Sequence, residues 1–220
     1  MKYFKTYESF KGTGFLTDPA EIEAWLNKMR IINYTVGKDG IVDVNEDVID
    51  ISEKKLKKIP VQFGKVSGSF YCSRNQLMSL KGAPKEVGGS FWCDHNQLTS
   101  LEGAPETVGG SFGCTNATLT NLKDAPKEVG KDFWCYGNQL INLVGMPKVK
   151  GQVHFNNNSG VPTKILDEVY KIMKKNKTDW DTEIKKYIQG DPTVIKYLPK
   201  EELKRLSLDK ESKLKSSGLI

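Results

Sequence analysis

The sequence has little of what most enzymes and metal proteins need. It holds two histidines, His95 and His154. They are far apart in the chain, so no Ser–His–Asp arrangement can be assembled around them, and a general acid or base role is not expected. Its four cysteines are Cys72, Cys93, Cys114 and Cys135. None forms the close C-x-x-C pair that zinc sites use, so neither a metal nor a cofactor is expected. No G-x-x-x-x-G-K-[ST] phosphate loop occurs. Asp39, Asp43, Asn45, Glu46 and Asp47 are acidic and polar, but they lack the D-x-[DN]-x-[DN]-G spacing of a calcium loop. No apolar run approaches bilayer length, which argues against a membrane partner. The N-terminus, MKYFKTYESFKGTGF, lacks the apolar core of a secretory signal. Together with unpaired cysteines this points to a reducing compartment, the cytoplasm of a bacterial or infected host cell.

What the chain does have is repetition. GSFYCSRNQLMSLKGAPKEVG begins at Gly68, and GSFWCDHNQLTSLEGAPETVG, GSFGCTNATLTNLKDAPKEVG and KDFWCYGNQLINLVGMPKVKG follow. Phe70, Phe91, Phe112 and Phe133 are 21 residues apart, as are the four cysteines and Leu77, Leu98, Leu119 and Leu140. A fixed period of this length means stacked units, each burying its apolar face only against its neighbours. Cysteines at one repeat position then form a buried column, which makes them small core residues. A worn unit precedes the four: Ile49, Ile51, Leu56, Ile59 and Val66 keep the same offsets, with Lys54 at the asparagine position and Phe63 at the place of Pro84. Val153, Phe155 and Asn158 continue the register after a one-residue deletion.

Within a unit, Phe91 and Cys93 alternate with Trp92, the pattern of a short strand with two residues inward. Asn96 stands at a change of direction, where its amide can satisfy buried backbone groups. Gly103-Ala104-Pro105 predicts an extended back with short turns, and Gly109-Gly110 a tight turn into the next strand.

The flanks read differently. Thr17 or Asp18 can cap a helix whose first turn holds Pro19 and Glu21 and whose apolar face is Ile22, Trp25, Leu26 and Met29. Tyr34, Val36, Ile41, Val42 and Val44 surround the Lys38-Asp39-Gly40 turn signal, a strand–turn pattern. Phe4, Tyr7 and Phe10 suggest a short helix or docked segment. After Val161-Pro162, the stripe Ile165, Leu166, Val169, Tyr170 and Met173 predicts a helix over the last open coil. Further helices are expected at Trp180–Gln189 and Pro199–Lys213, with a frayed end beyond Ser212. The net charge is +6, and residues 161–220 carry 14 basic against 10 acidic side chains. The organisation is therefore an N-terminal helix and strand cap over 1–48, a solenoid of about six coils over 49–160, and a helical cap with a basic tail over 161–220.

The segment x-F-x-C-x-x-N-Q-L-x-x-L resembles the L-x-L-x-x-N-x-L signature of leucine-rich repeats. The short period and the NQLTSL-then-proline wording are similar to repeats of the short bacterial and bacteriophage type. The signature covers residues 49–158. Ala117 and Lys54 depart from it at the asparagine position, so the asparagine ladder should break there. The resemblance implies an α/β fold: a leucine-rich-repeat solenoid with a short-stranded parallel sheet, an extended convex side, and α-helical N- and C-terminal caps. Some bacterial effectors with similar repeats carry a ubiquitin-ligase domain, but its catalytic cysteine has no counterpart after residue 160.

The implied sheet face exposes the non-core positions. One column reads Tyr71, Trp92, Gly113, Trp134 and His154, about 5 Å apart per step. Rigid aromatic side chains that the core does not need suit recognition. Gly113 reads as a gap able to receive a partner side chain; the competing reading is that the aromatics pack on one another. The expected function is a non-enzymatic protein-binding module, acting on a host protein, with Tyr71, Trp92, Trp134 and Tyr136 as anchors. Arg74, Asp94, His95 and His154 complete the candidate partner-binding set. The alternatives are nucleic-acid binding through Lys171, Lys174, Lys175, Lys177, Lys185 and Lys186, or a structural or packaged virion component.

Overall fold

A computed structural model describes residues 14–190, 198 and 200–206. The aromatic segment Phe4–Phe10, most of the Gly190–Pro192 break and the end beyond Ser212 lie outside them. Helix α1 spans Pro19–Lys28. Asp18 is its N-cap, its carboxylate accepting from Ala20 N at 2.8 Å and Glu21 N at 3.2 Å, and so satisfies donors that the first turn leaves free. A hairpin follows: β1 (Tyr34–Val36) runs antiparallel to β2 (Ile41–Val44). Asp39 accepts from Ile41 N across the turn at 3.1 Å.

From there the chain winds into stacked coils with parallel strands. β3 (Val48–Asp50), β5 (Ser69–Tyr71), β7 (Phe91–Trp92), β9 (Phe112–Gly113), β11 (Phe133–Trp134) and β13 (Val153–His154) make one six-stranded parallel sheet. Phe70, Phe91, Phe112 and Phe133 align in register. The back of each coil also pairs. β4 (Gln62–Val66), β6 (Glu86–Val87), β8 (Thr107–Val108), β10 (Glu128–Val129) and β12 (Lys148–Val149) join β1 and β2 in a second, seven-stranded sheet. Sequence spacing predicts only turns there. The regular step places each Val87-type residue beside its counterpart, so even two extended residues find backbone partners in the next coil. The architecture is thus an α/β solenoid with two sheets. Glycine is required where the coils touch: a Cβ on Gly109 would run into the Gly88 carbonyl.

The core is columnar. Phe70, Phe91, Phe112 and Phe133 stack with centroids 5.5–5.7 Å apart and rings 6–9° from parallel. Phe63 meets Phe70 edge-on at 5.2 Å, and Trp25 of α1 meets Phe63 at 6.2 Å. At the far end Phe155 packs edge-on against Tyr170 at 5.7 Å. All four cysteines are free and buried. Burial pushes each thiol's pKa upward, which holds them as neutral packing groups.

An asparagine ladder runs beside the cysteines. Asn96 accepts from Leu77 N at 3.0 Å and donates to the carbonyls of Cys72 at 3.0 Å and Cys93 at 2.9 Å. Asn75, Asn138 and Asn158 act likewise. Ala117 interrupts it, and no hydrogen bond from Leu98 N is present among the described residues. Lys54 is exposed and donates its backbone N–H to Asn75, so the ladder begins one coil later.

Beyond the coils lie α2 (Thr163–Asn176), α3 (Trp180–Gly190) and α4 (Lys200–Arg205). The α2 stripe Ile165, Leu166, Val169 and Met173 is buried. Glu202 of α4, 1% exposed, ties these helices to the solenoid. It accepts from Trp180 Nε1 at 2.9 Å, Asn142 Nδ2 at 2.9 Å and Arg205 Nη2 at 2.7 Å. Arg205 in turn forks onto Asp181, with both contacts at 2.6 Å. Among the described residues no helix is long and apolar enough to cross a membrane.

Candidate functional site

Three columns of side chains leave the six-stranded sheet and the bend after it. The first is Tyr71, Trp92, Gly113, Trp134 and His154, aligned by strand register. The second is Ser73, Asp94, Thr115 and Tyr136. The third is Glu53, Arg74, His95 and Asn116, then Gly137 and Asn157, all with left-handed φ between 51° and 68°. A non-glycine residue rarely adopts that conformation. Here it recurs once per coil, because the chain must turn sharply before each position of the asparagine ladder, including those that Lys54 and Ala117 occupy.

These columns enclose an open groove of about 400 Å³ lined by Ser73, Arg74, Trp92, Asp94, His95, Thr115, Trp134 and Tyr136. Six of the eight residues expected from the sequence therefore meet in one place. Tyr71 and His154 do not line it. Tyr71 is half-buried on β5. His154 stacks on one face of Trp134, centroids 3.6 Å apart and rings 14° from parallel. Trp134 also meets Tyr136 edge-on, at 6.4 Å and 80°.

The gap expected at Gly113 is closed. A Cβ built there would collide with the six-membered ring of Trp92 and come within 3.1 Å of Asp94 Oδ2. Trp92 leans over the glycine and fills the space with its own ring. A bare backbone next to a large flat side chain attracts that side chain before any partner arrives. The aromatic row is thus partly self-packed, while Trp92 and Trp134 both still line the groove.

Hydrogen bonds fix the groove's polar groups. Asp94 Oδ1 accepts from both the backbone N–H and the hydroxyl of Thr115, each at 2.7 Å. Among the described residues its other oxygen meets only the Ser73 hydroxyl, at a long 3.5 Å. Arg74 reaches back to Glu53, Nε to Oε1 at 3.7 Å, with both side chains mostly exposed. Asn116 Nδ2 donates to His95 Nε2 at 3.1 Å; an amide nitrogen can only donate, so the ring accepts there. On the same sheet, Ser69 accepts from Ser90 N and Ser90 from Ser111 N, each at 3.0 Å. These bonds lock neighbouring coils together.

Ser73 and Thr115 belong to the non-core positions expected on this face, but they were not in the candidate partner-binding set. Each stands one period of 21 residues from Asp94, so the column was legible; small hydroxyl side chains simply do not announce themselves as aromatics do. The lysines proposed for nucleic-acid contact, Lys171, Lys174, Lys175 and Lys177 on and just after α2 and Lys185 and Lys186 on α3, are exposed. Lys186 is engaged with Glu183 at 3.1 Å.

No protein-family model, no curated protein and no solved structure matches this chain.

Proposed function

We propose that the chain is a non-enzymatic binding module of the leucine-rich-repeat type, which holds a protein partner on its six-stranded sheet face. The observation that carries this reading is the groove itself. Coils two periods apart in sequence, one carrying Trp92, Asp94 and His95 and the other Trp134 and Tyr136, bring two indoles, a phenol, a carboxylate and an imidazole together. The repeat supplies rigidity, and the groove residues are the ones it leaves free to vary. Large aromatic side chains with few rotatable bonds give contact area at small entropic cost, as binding hot spots require. The short-period repeat wording, F-x-C-x-x-N-x-L-x-x-L, supports the leucine-rich-repeat assignment.

The test is affinity capture from the cells that make the chain, using the parent and Trp92→Ala/Trp134→Ala side by side. A partner held by the parent and lost by the double variant, with unchanged circular dichroism, supports the reading. A partner retained in full by the double variant overturns the placement of the site.

A further inference from the structure

The groove has a chemical bias that goes beyond its shape. Trp134 and Tyr136 stand nearly perpendicular, at 80°, and form two walls of a corner. His154 covers one face of Trp134. Trp92, lying over Gly113, lines the groove as well. Asp94 is the carboxylate in this enclosure. Thr115 holds one of its oxygens with two bonds of 2.7 Å, while among the described residues the other has only the long contact to Ser73. Arg74, a cation that lines the groove, is drawn toward Glu53 in the preceding coil.

The surrounding charge agrees. The outward strand positions of this sheet and the positions just after them hold four acids, Asp50, Glu53, Asp94 and Asp132, against one arginine, Arg74, and no lysine, in a chain whose net charge is +6. Aromatic faces present negative potential, and a fixed carboxylate beside them adds to it. A neutral or anionic group would gain the stacking area alone.

Resting on the binding role proposed above, we infer that the groove is a receptor for an arginine side chain of the partner. The guanidinium lies flat against the indoles that line the groove and donates to the open oxygen of Asp94. Guanidinium suits this better than ammonium: it is planar, weakly hydrated, stacks on indole and presents a fork of donors to a carboxylate. No covalent chemistry is involved.

The test uses the full chain and four capped peptides, identical except for one central residue: arginine, its uncharged isostere citrulline, lysine and glutamate. Indole N–H resonances of the four tryptophans report the site, since Trp25 and Trp180 are buried, at 3% and 1% exposure, and serve as internal controls. The expected result is saturable shifts of the Trp92 and Trp134 signals with the arginine peptide, and at least about tenfold weaker binding of the citrulline and glutamate peptides. Asp94→Asn keeps an acceptor for Thr115 and should weaken the arginine peptide about tenfold while leaving citrulline unchanged. Equal binding of arginine and citrulline, or shifts at no indole, overturns the inference, and equal binding of lysine overturns the choice of guanidinium. If citrulline binds equally while Trp92→Ala/Trp134→Ala still abolishes partner capture, the protein-binding role stands and the arginine assignment alone falls.

Discussion

Replacing Ala117 by asparagine should make the protein more stable, although it puts a polar group into the core. In the regular coils one asparagine accepts from a leucine N–H of the preceding coil and donates to two cysteine carbonyls. At Ala117 that set is vacant. Leu98 N has no acceptor among the described residues, and Cys93 O and Cys114 O each receive one side-chain amide where Cys72 O receives two. Asn116 already holds the left-handed φ, 51°, that precedes the ladder residue in other coils, so the backbone is preset. Satisfying a buried N–H recovers about 1–3 kcal/mol, and two further bonds add about 1 kcal/mol each. Against this stand desolvation of the amide, about 1–3 kcal/mol, and lost rotamer freedom of about 1 kcal/mol. The net is a gain of about 1 kcal/mol, or a rise of about 2–4 °C in melting temperature for a chain of this size. Urea unfolding of Ala117→Asn, with the slope checked for constancy, measures it. Ala117→Asp is the control: it can accept from Leu98 N but cannot donate to the carbonyls, and it buries a charge, so it should destabilise. An asparagine variant no more stable than the parent would refute the reasoning that the ladder is held by these bonds.

Three other outcomes follow from the packing. Glu202→Gln removes a buried charge on which Trp180, Asn142 and Arg205 converge; Arg205 keeps Asp181, so the expected cost is about 2–3 kcal/mol, seen as lost hydrogen-exchange protection in α3 and α4 before the coils. The four thiols, buried and raised in pKa, should resist a thiol reagent at pH 8 in the folded protein and all react once it is unfolded. Glu183 is held below its ordinary value of 4.5 chiefly by the Thr178 hydroxyl. Its lowered folded value means its contribution is complete above that pH and is lost as pH falls through the depressed value; Thr178→Val should therefore make the C-terminal helices less sensitive to acid, measured as the melting temperature from pH 7 to pH 3.

The repeat made the stack readable from residue spacing alone. Phe70, Phe91, Phe112 and Phe133 at one step oblige parallel pairing of like with like, and the structure has that register. The helix at Pro19 was equally plain, since capping and apolar spacing are local. The second sheet was not legible, because two-residue strands such as Thr107–Val108 carry no alternation to detect. Glu202 was hidden for another reason: its partners Trp180 and Asn142 are 22 and 60 residues away in sequence, and only the fold brings them together. At the groove, the identity of the wall residues could be read from their columns. The lean of Trp92 over Gly113 could not, since a gap in a row of letters looks the same whether a neighbour fills it or not.

The sharpest measurement compares neighbours on one strand. Phe91 points inward and Trp92 outward from β7, so Phe91→Ala and Trp92→Ala test opposite roles one residue apart. Phe91→Ala should cost about 3–5 kcal/mol in urea unfolding, with affinity for the captured partner preserved in the molecules that remain folded. Trp92→Ala should cost about 1 kcal/mol, the loss of a half-exposed ring, and weaken partner binding at least about tenfold. If Trp92→Ala unfolds the chain as severely as Phe91→Ala and leaves affinity unchanged, the outward column is structural and the groove is not the binding site.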